Sequence, residues 1–490
     1  MTDEKTLLIT IWGNPETWVT VEKYIVELPQ NQTHQAKKPY RSTLGPLMDA
    51  YGHPTTLLYA PSTLEKPSRN KNYNQLIDEL KQYITSKTND DQYCSKPSQV
   101  GIAIAPSIGT FRKNNETYSS KGTIEIYISH THLTTYNKLM QEKPTKIILD
   151  LSHGVNYMPT YLRQTTETAT ASYILATGNT VKLLVYNSAP VTPRDKNTPI
   201  EESMIHLVEE KEINNGDAKR ILYTQLSLRL LKPTHQTNPI RSLIGHSIPE
   251  HNKQEWKKLM ENIKYFTKSA ELGQSLPLAY LINEINDTKI SDLYDSAERF
   301  TYIKNCSDLV DMDDRTTVFK YVLRYEAALS ITLANSIKSK GWQGTPPYPT
   351  EHIKKISETY MTISTMRLLD HEIKQLEDRV GIIQKYLPQN QIYKTPYVKL
   401  IDIGNIRTEE SKRLLDIYRE QKTAIDVKTA NEAKKIITQP DKLEEPDRRN
   451  LIAHAGLEQN ITLVTLEEGK IFIEYREDVK SRLKDIIRSL

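Results

Sequence analysis

From Thr6 to Trp12 the chain is a nearly unbroken run of apolar and β-branched residues. Similar short runs recur at Thr55–Tyr59, Val100–Ala105, Lys146–Leu151 and Val181–Tyr186, each closed by Gly, Pro, Asn or Ser within a few positions. Runs of this length and composition are the pattern of strands buried on both faces. Between them, Ser42–Ala50, Tyr73–Ile84 and Tyr161–Ala176 carry helical spacing; Leu76, Ile77, Leu80 and Ile84 mark one such face. Trp18–Val21, Tyr24–Val26 and the alternating Thr123–Ile128 predict further strand material. Strands alternating with helices predict an open, mostly parallel α/β sheet of Rossmann-like type over residues 1–210.

Beyond about residue 200 the strand signal fades. Helical periodicity runs through 201–232, 253–271, 276–304 and 316–339, so residues 211–340 are predicted to be an all-α middle. The run Gly341-Trp342-Gln343-Gly344-Thr345-Pro346-Pro347-Tyr348-Pro349 is the strongest helix breaker in the chain and predicts a boundary. Helices resume at 351–386 and 407–438, with a short one at 446–455. Ile461–Leu466 and Lys470–Tyr475 alternate on either side of Glu468-Gly469, the pattern of a hairpin, and a last helix runs from about Asp478 to Leu490. Residues 341–490 are thus expected to be mainly α with one small β-hairpin.

Composition narrows the class. The 490 residues include 65 Lys and Arg against 61 Asp and Glu, a net charge of +4, and 37% are hydrophobic. That is a globular balance, not a disordered one. No stretch approaches the roughly 18 consecutive apolar residues of a membrane span, and Met1–Trp12 lacks the pattern of a signal peptide. No membrane partner and a cytoplasmic location are therefore expected. Cys94 and Cys306 are the two cysteines, too far apart and too poor in neighbouring ligands for a disulfide framework or zinc ribbon. The near-neutral total gives no sign of nucleic-acid binding by bulk charge.

Candidate chemistry lies in two places. In open α/β sheets ligands bind outside the carboxyl ends of the strands. Four such ends carry small or polar residues: Gly13-Asn14-Pro15, Pro61-Ser62-Thr63, Pro106-Ser107-Ile108-Gly109 and Ser152-His153-Gly154-Val155-Asn156-Tyr157. Glycine lets a backbone approach a ligand, the hydroxyls, amide and imidazole offer hydrogen bonds, and Trp18 and Tyr157 offer stacking surfaces. Polar loop residues are also common for turn formation alone; the last run is richer in donors than capping requires. Neither a Gly-x-Gly-x-x-Gly fingerprint after the first strand nor a P-loop occurs, which argues against a dinucleotide oxidoreductase and a P-loop ATPase. Asp150, Ser152 and His153 contain the residue types of a hydrolase triad, but adjacent strand-end positions point in different directions and no nucleophile elbow is present.

The second place is Pro446-Asp447-Arg448-Arg449-Asn450-Leu451-Ile452-Ala453-His454-Ala455-Gly456, which reads as a compact helix with Pro at its first position and Gly at its stop. Asn450 and His454 fall about 40° apart on one face, and Arg449 about 140° from His454. Histidine transfers protons near neutrality and arginine holds a phosphate with a planar fork. Together with a hydroxyl-orienting Asn they suit metal-independent RNA cleavage, in which a base deprotonates the ribose 2′-OH and a cation stabilises the charge on phosphorus. One helix supplies one histidine, so a symmetric dimer would supply the second proton carrier. A histidine near a helix C-terminus is also favourable for the macrodipole alone.

The run Arg449-Asn450-Leu451-Ile452-Ala453-His454 resembles the Arg-x4–6-His signature of HEPN ribonucleases, and the hairpin and final helix after it look like the end of that domain. Asp150–Tyr157 resembles the fourth-strand motif of CARF domains, and Gly13-Asn14-Pro15 with Trp18 their first-strand loop. The two motifs, in this order, resemble CRISPR-associated CARF–HEPN ribonucleases of type III systems, in the longer Csx-type branch. The resemblance implies a CARF sensor over 1–210, a helical linker with helix-turn-helix character over 211–340 and a HEPN domain over 341–490. It implies a homodimer, with higher assembly open, that binds cyclic oligoadenylate (often cyclic tetra-adenylate) as activator and cleaves single-stranded RNA in antiviral defence, with no cofactor and no metal.

Carried over by position, Arg449 and His454 are catalytic and Asn450 supports them, with Arg448 a competing arginine. Gly13, Asn14, Trp18, His153, Gly154, Asn156 and Tyr157 line the activator pocket; Ser62, Thr63, Ser107 and Gly109 join them by strand-end position. CARF domains also occur fused to DNA-binding segments, so a ligand-responsive transcription regulator without catalysis is the alternative. Some also cleave their own ring, and no residue here compels that.

Overall fold

The computed structural model describes residues 5–113, 116–155, 157–189, 198–231, 238–245, 252–303, 308–386, 398–399, 448–457, 462–467 and 470–490. The chain forms two compact units. The first comprises Met1–Met260 with Lys289–Ser339, the second Glu261–Thr288 with Lys340–Leu490.

The first unit is built on a sheet of eight strands: β1 (Thr6–Ile11), β2 (Val21–Leu28), β3 (Gln32–Gln35), β4 (Thr55–Pro61), β5 (Val100–Ala105), β8 (Lys146–Asp150), β9 (Val181–Ser188) and β10 (Ile200–Ile213), in the order β3-β2-β10-β9-β8-β1-β4-β5. The intervening β6 (Gly109–Lys113) and β7 (Glu116–Lys121) pair as a hairpin in a separate small sheet. β1 runs parallel to β4 and β8, β4 parallel to β5, and β8 parallel to β9. β10 lies antiparallel to β9 and parallel to β2. The central strands are apolar on both faces because both faces are covered: Leu7, Leu8, Ile9, Leu58, Ile147, Ile148 and Leu149 are all fully buried. Each such side chain contributes on the order of 1.5–3 kcal/mol relative to exposure.

Helices α1 (Leu44–Ala50), α2 (Tyr73–Thr88), α3 (Ile124–Glu142) and α4 (Tyr157–Thr177) lie between these strands in the chain, and α5 (Asn215–Leu230) follows β10. α6 (Lys253–Glu271), α7 (Ser275–Asn286), α8 (Ile290–Tyr302) and α9 (Tyr325–Ser339) follow. α3, α4 and α9 share a buried polar seam. His132 on α3 meets Thr168 Oγ1 of α4 through Nδ1 at 3.1 Å and Thr332 Oγ1 of α9 through Nε2 at 3.0 Å. Burial holds the His132 pKa down at about 3, so the ring is neutral, with one nitrogen donating and the other accepting.

Two sequence expectations are corrected here. Thr123–Ile128 is not a strand: α3 begins at Ile124. Its alternating β-branched residues read as period two, yet they open a helix that is buried almost all round, and packing overrides local propensity. Residues 201–213 are not helical but form β10, where Glu and Lys alternate with apolar residues until a bulge between Leu207 and Glu209 breaks the period. The middle is helical as expected, with short strands at Ile240–Ser242, Val310–Met312, Thr316–Phe319 and Tyr321–Leu323 that the periodicity does not reveal.

In the second unit α7 packs with α10 (Thr350–Tyr360), and α11 (Ile363–Tyr386) follows. The predicted hairpin is present as Thr462–Glu467 paired with Lys470–Tyr475, flanked by Val398–Lys399 and Tyr348–Pro349. The helix expected at 407–438 lies outside the described residues. The final helix is two short ones, Glu477–Ser481 and Leu483–Ser489. Among the described residues no helix is long and apolar enough to cross a membrane.

Candidate functional site

Strand order fixes where the first unit can hold a ligand. β4 and β5 extend the parallel part of the sheet on one side of β1, and β8 and β9, which follow them in the chain, extend it on the other. The switch point is therefore the crevice beyond the carboxyl ends of β1 and β8. Asp150 ends β8 there, fully buried. Its Oδ2 accepts from Thr10 Oγ1 (2.8 Å) and Thr43 Oγ1 (2.7 Å), and its Oδ1 from the backbone N–H (3.1 Å) and hydroxyl (2.6 Å) of Ser152. Four donors satisfy the carboxylate without a cation. Thr43, at the start of α1, spends its side chain on this bond and not on capping its own helix.

The rest of the predicted pocket is held by this hub. His153 Nε2 accepts from the backbone N–H of Thr43 at 3.1 Å, and its ring stacks on Trp18 with centroids 4.1 Å apart. Burial holds the His153 pKa down at about 4, against the opposite pull of Asp150, so the imidazole is neutral with its proton on Nδ1. Gly13 is obligatory: a Cβ there would lie 2.9 Å from the carbonyl oxygen of His153. At Gly154 a Cβ would lie 2.3 Å from Pro159 Cγ. Asn14 caps a single helical turn, its Oδ1 accepting from the N–H of Glu16.

The strand ends of β4, β5 and β8 are tied separately. Ser62 Oγ accepts from the N–H of Ser107 at 3.0 Å, and Tyr157 OH accepts from the N–H of Ile108 at 2.9 Å. Ser62, Thr63 and Ser107 are buried, whereas Gly109 is exposed and Asn14, Trp18, His153, Gly154 and Tyr157 are partly so. Asn156 lies outside the described residues. No triad forms: Ser152 donates to Asp150 while His153 bonds Thr43. Sequence reasoning did not place Thr10, Thr43 and Asp150 among the site residues; the signal available was a carboxylate closing an apolar strand run.

In the second unit Arg448–Ala453 forms the short helix expected around the second motif, and Arg449 and Asn450 lie in its first turn. His454 is its C-cap. The next residue, Ala455, is left-handed (φ +50), its N–H bonded to the Ile452 carbonyl, and the N–H of Gly456 reaches the Leu451 carbonyl at 2.9 Å. This is the Schellman arrangement, one residue earlier than the glycine suggested. The end is locked in place: the Ala455 carbonyl accepts from Ser275 N–H (2.9 Å) and Oγ (2.7 Å), and the Gly456 carbonyl from Tyr475 OH at 2.6 Å. Leu451 is buried beneath the helix, and His454 is one-third exposed.

One residue at this site was missed. Nδ1 of His454 lies 3.1 Å from Oε2 of Glu372 on α11. The signal was spacing: Leu369, Ile373 and Leu376 form the buried stripe of α11, and Glu372 stands on it. Among the described residues no group of His, Cys, Asp and Glu is arranged to hold a metal ion.

Comparison with known proteins agrees with this division. The family model for the CARF domain of the CRISPR system endoribonuclease Csx1 matches residues 7–190, and that for the Csx1 HEPN domain matches 365–477. Together they span more than half of the chain and contain both motifs, and the chain belongs to the CARF–HEPN family of CRISPR ribonucleases. The CRISPR system endoribonuclease Csx1 of Methanocaldococcus jannaschii is 23% identical over 485 residues, covering 97% of this chain and 90% of that protein. A solved structure, Enterococcus italicus Csm6 bound to cyclic hexa-2′-fluoro-hexa-dAMP, aligns over 99% of this chain and 100% of its own at 9% identity, with a TM-score of 0.23, too low to bear on the reading.

Proposed function

We propose that this protein is an endoribonuclease switched on by cyclic oligoadenylate, with a sensor in residues 1–210, a helical middle in 211–340 and a nuclease domain in 341–490. The observation that carries the reading is that sensor and nuclease family models of one enzyme family match in order, each over one of the two motifs.

In the nuclease, His454 takes the proton of a ribose 2′-OH. The 2′-oxygen bonds to phosphorus, the P–O5′ bond breaks, and the 5′-oxygen is protonated by the histidine of a second copy. Arg449 offsets the charge that builds on phosphorus and Asn450 orients the hydroxyl; Arg448 stands in reserve for the same role. No metal is required by this route. In the sensor the ring lies over the β1–β8 crevice. Asn14, Trp18, His153, Gly154, Asn156, Tyr157 and Gly109 are its contacts, and Gly13, Ser62, Thr63 and Ser107 shape the loops. A neutral His153 and backbone N–H groups suit a ligand whose phosphates are spread around a ring. The protein acts as a homodimer, and cyclic tetra-adenylate is the ring to test first.

The test is His454→Ala. Cleavage of single-stranded RNA is expected to fall by a factor on the order of 10² or more, while labelled cyclic tetra-adenylate binds as it does to the wild type. Undiminished cleavage in that variant sinks the assignment. A salt-steep gel shift on duplex DNA, with no RNA cleavage in the wild type, would support the regulator instead.

A further inference from the structure

The carboxylate beside His454 is placed where a surface residue has no reason to be. Glu372 sits on the buried stripe of α11, its side chain only 13% exposed, and its Oε2 is 3.1 Å from His454 Nδ1. Yet Nδ1 is off the line of a hydrogen bond: it is buried with its hydrogen-bonding capacity unmet. A buried polar nitrogen left this way is costly, and among the described residues no other group bonds it. Among the described residues, the groups seen to bond or touch the end of this helix, Gln274, Ser275, Pro277 and Tyr475, are uncharged. Among the described residues Glu372 is the acidic group paired with this imidazole.

We infer that Glu372 is the positioning residue of the nuclease site. In the active arrangement its carboxylate accepts the Nδ1 proton of His454, holding the ring in the Nδ1–H tautomer with Nε2 free to take the proton of the 2′-OH. The same contact stabilises the imidazolium formed when that proton arrives, and the proton then leaves from Nε2. Catalytic hydrogen bonds are commonly long or misaligned in a resting enzyme and tighten in the reacting complex. This inference rests on the ribonuclease reading.

The experiment uses the full-length protein with Glu372→Ala and the isosteric Glu372→Gln. Nitrogen-15 NMR of the labelled His454 ring, with the activator bound, reads the tautomer without reference to RNA. Steady-state cleavage with cyclic tetra-adenylate saturating reads kcat and KM. Wild type is expected to show the Nδ1–H tautomer. Glu372→Ala is expected to lose that preference and to drop kcat by on the order of tenfold or more, with KM and ring binding little changed. Glu372→Gln, whose amide oxygen still accepts from Nδ1–H, is expected to recover part of kcat. An unchanged tautomer and kcat in Glu372→Ala overturns the inference, as does a loss in both variants that falls on KM alone. If His454→Ala cleaves normally the ribonuclease reading falls, and the NMR arm still decides whether Glu372 sets the ring.

Discussion

Single residues here work by having their hydrogen bonds satisfied in a fixed direction. Among the described residues no cation pairs with the buried Asp150, and Thr10, Thr43 and Ser152 supply donors that make this tolerable. In doing so they set the loop that places His153 over Trp18. Burial also sets the charge state of the interior histidines. Burial, with Lys81 adding to it, holds His130 down at about 3, and burial alone does the same for His132. A folded-state pKa below the ordinary 6.5 means stability that is full above pH 6.5 and is lost as pH falls toward 3. At pH 5 each of these groups should have withdrawn on the order of 2 kcal/mol. Urea unfolding of the intact protein at pH 7 and pH 5 checks this: the midpoint should fall on acidification, and His132→Gln should remove part of the slope. A midpoint unchanged between the two pH values would show that these rings do not titrate on unfolding.

At the scale of elements, the described end of the second motif's helix is firmly tied. Over the described Arg448–Ala453, the Schellman turn and its bonds to Ser275 and Tyr475 fix this helix to its surroundings. Gly456 is central: its φ is +82, and a Cβ there would lie 2.9 Å from Pro277 Cδ. Gly456→Ala should therefore cost about 1–2 kcal/mol in the second unit and lower cleavage by displacing His454, with ring binding intact. A thermal melt and an activity assay read both; a fully stable and active variant contradicts it.

The same scale shows what was legible in the sequence. The buried parallel strands and both motifs were readable because each depends on neighbours in the chain. Ile147–Leu149 must be apolar to lie between β1 and β9, and Pro106 and Gly154 punctuate as turn residues do. What was not legible depends on partners far away. Thr123–Ile128 alternates like a strand and becomes a helix because α4 and α9 bury its surroundings. Glu372 looks like one more helix-surface glutamate until His454, 82 positions on, is brought to it. Ser62 is buried with its hydroxyl accepting from the N–H of Ser107, while the Ser107 hydroxyl donates to the Ala105 carbonyl, bonds that no local pattern announces.

For the whole molecule, the two motifs belong to separately compact units, so ligand control of cleavage demands a coupling free energy between them. The activator must bind the cleaving arrangement better than the idle one; tight binding to both would shift nothing. The helical middle joins the two ends of the chain, so changes there should alter the activation ratio without altering either site. A net charge of +4 is compatible with the proposed division, in which each polyanionic ligand would need only a local site. The most direct measurement is the cleavage rate of a labelled single-stranded RNA with and without cyclic tetra-adenylate, in excess EDTA, for wild type and His454→Ala. A ring-activated ribonuclease cleaves only when the ring is present, is indifferent to EDTA, and is silent in the variant. Cleavage at the same rate without any cyclic oligoadenylate, or undiminished in His454→Ala, would contradict it.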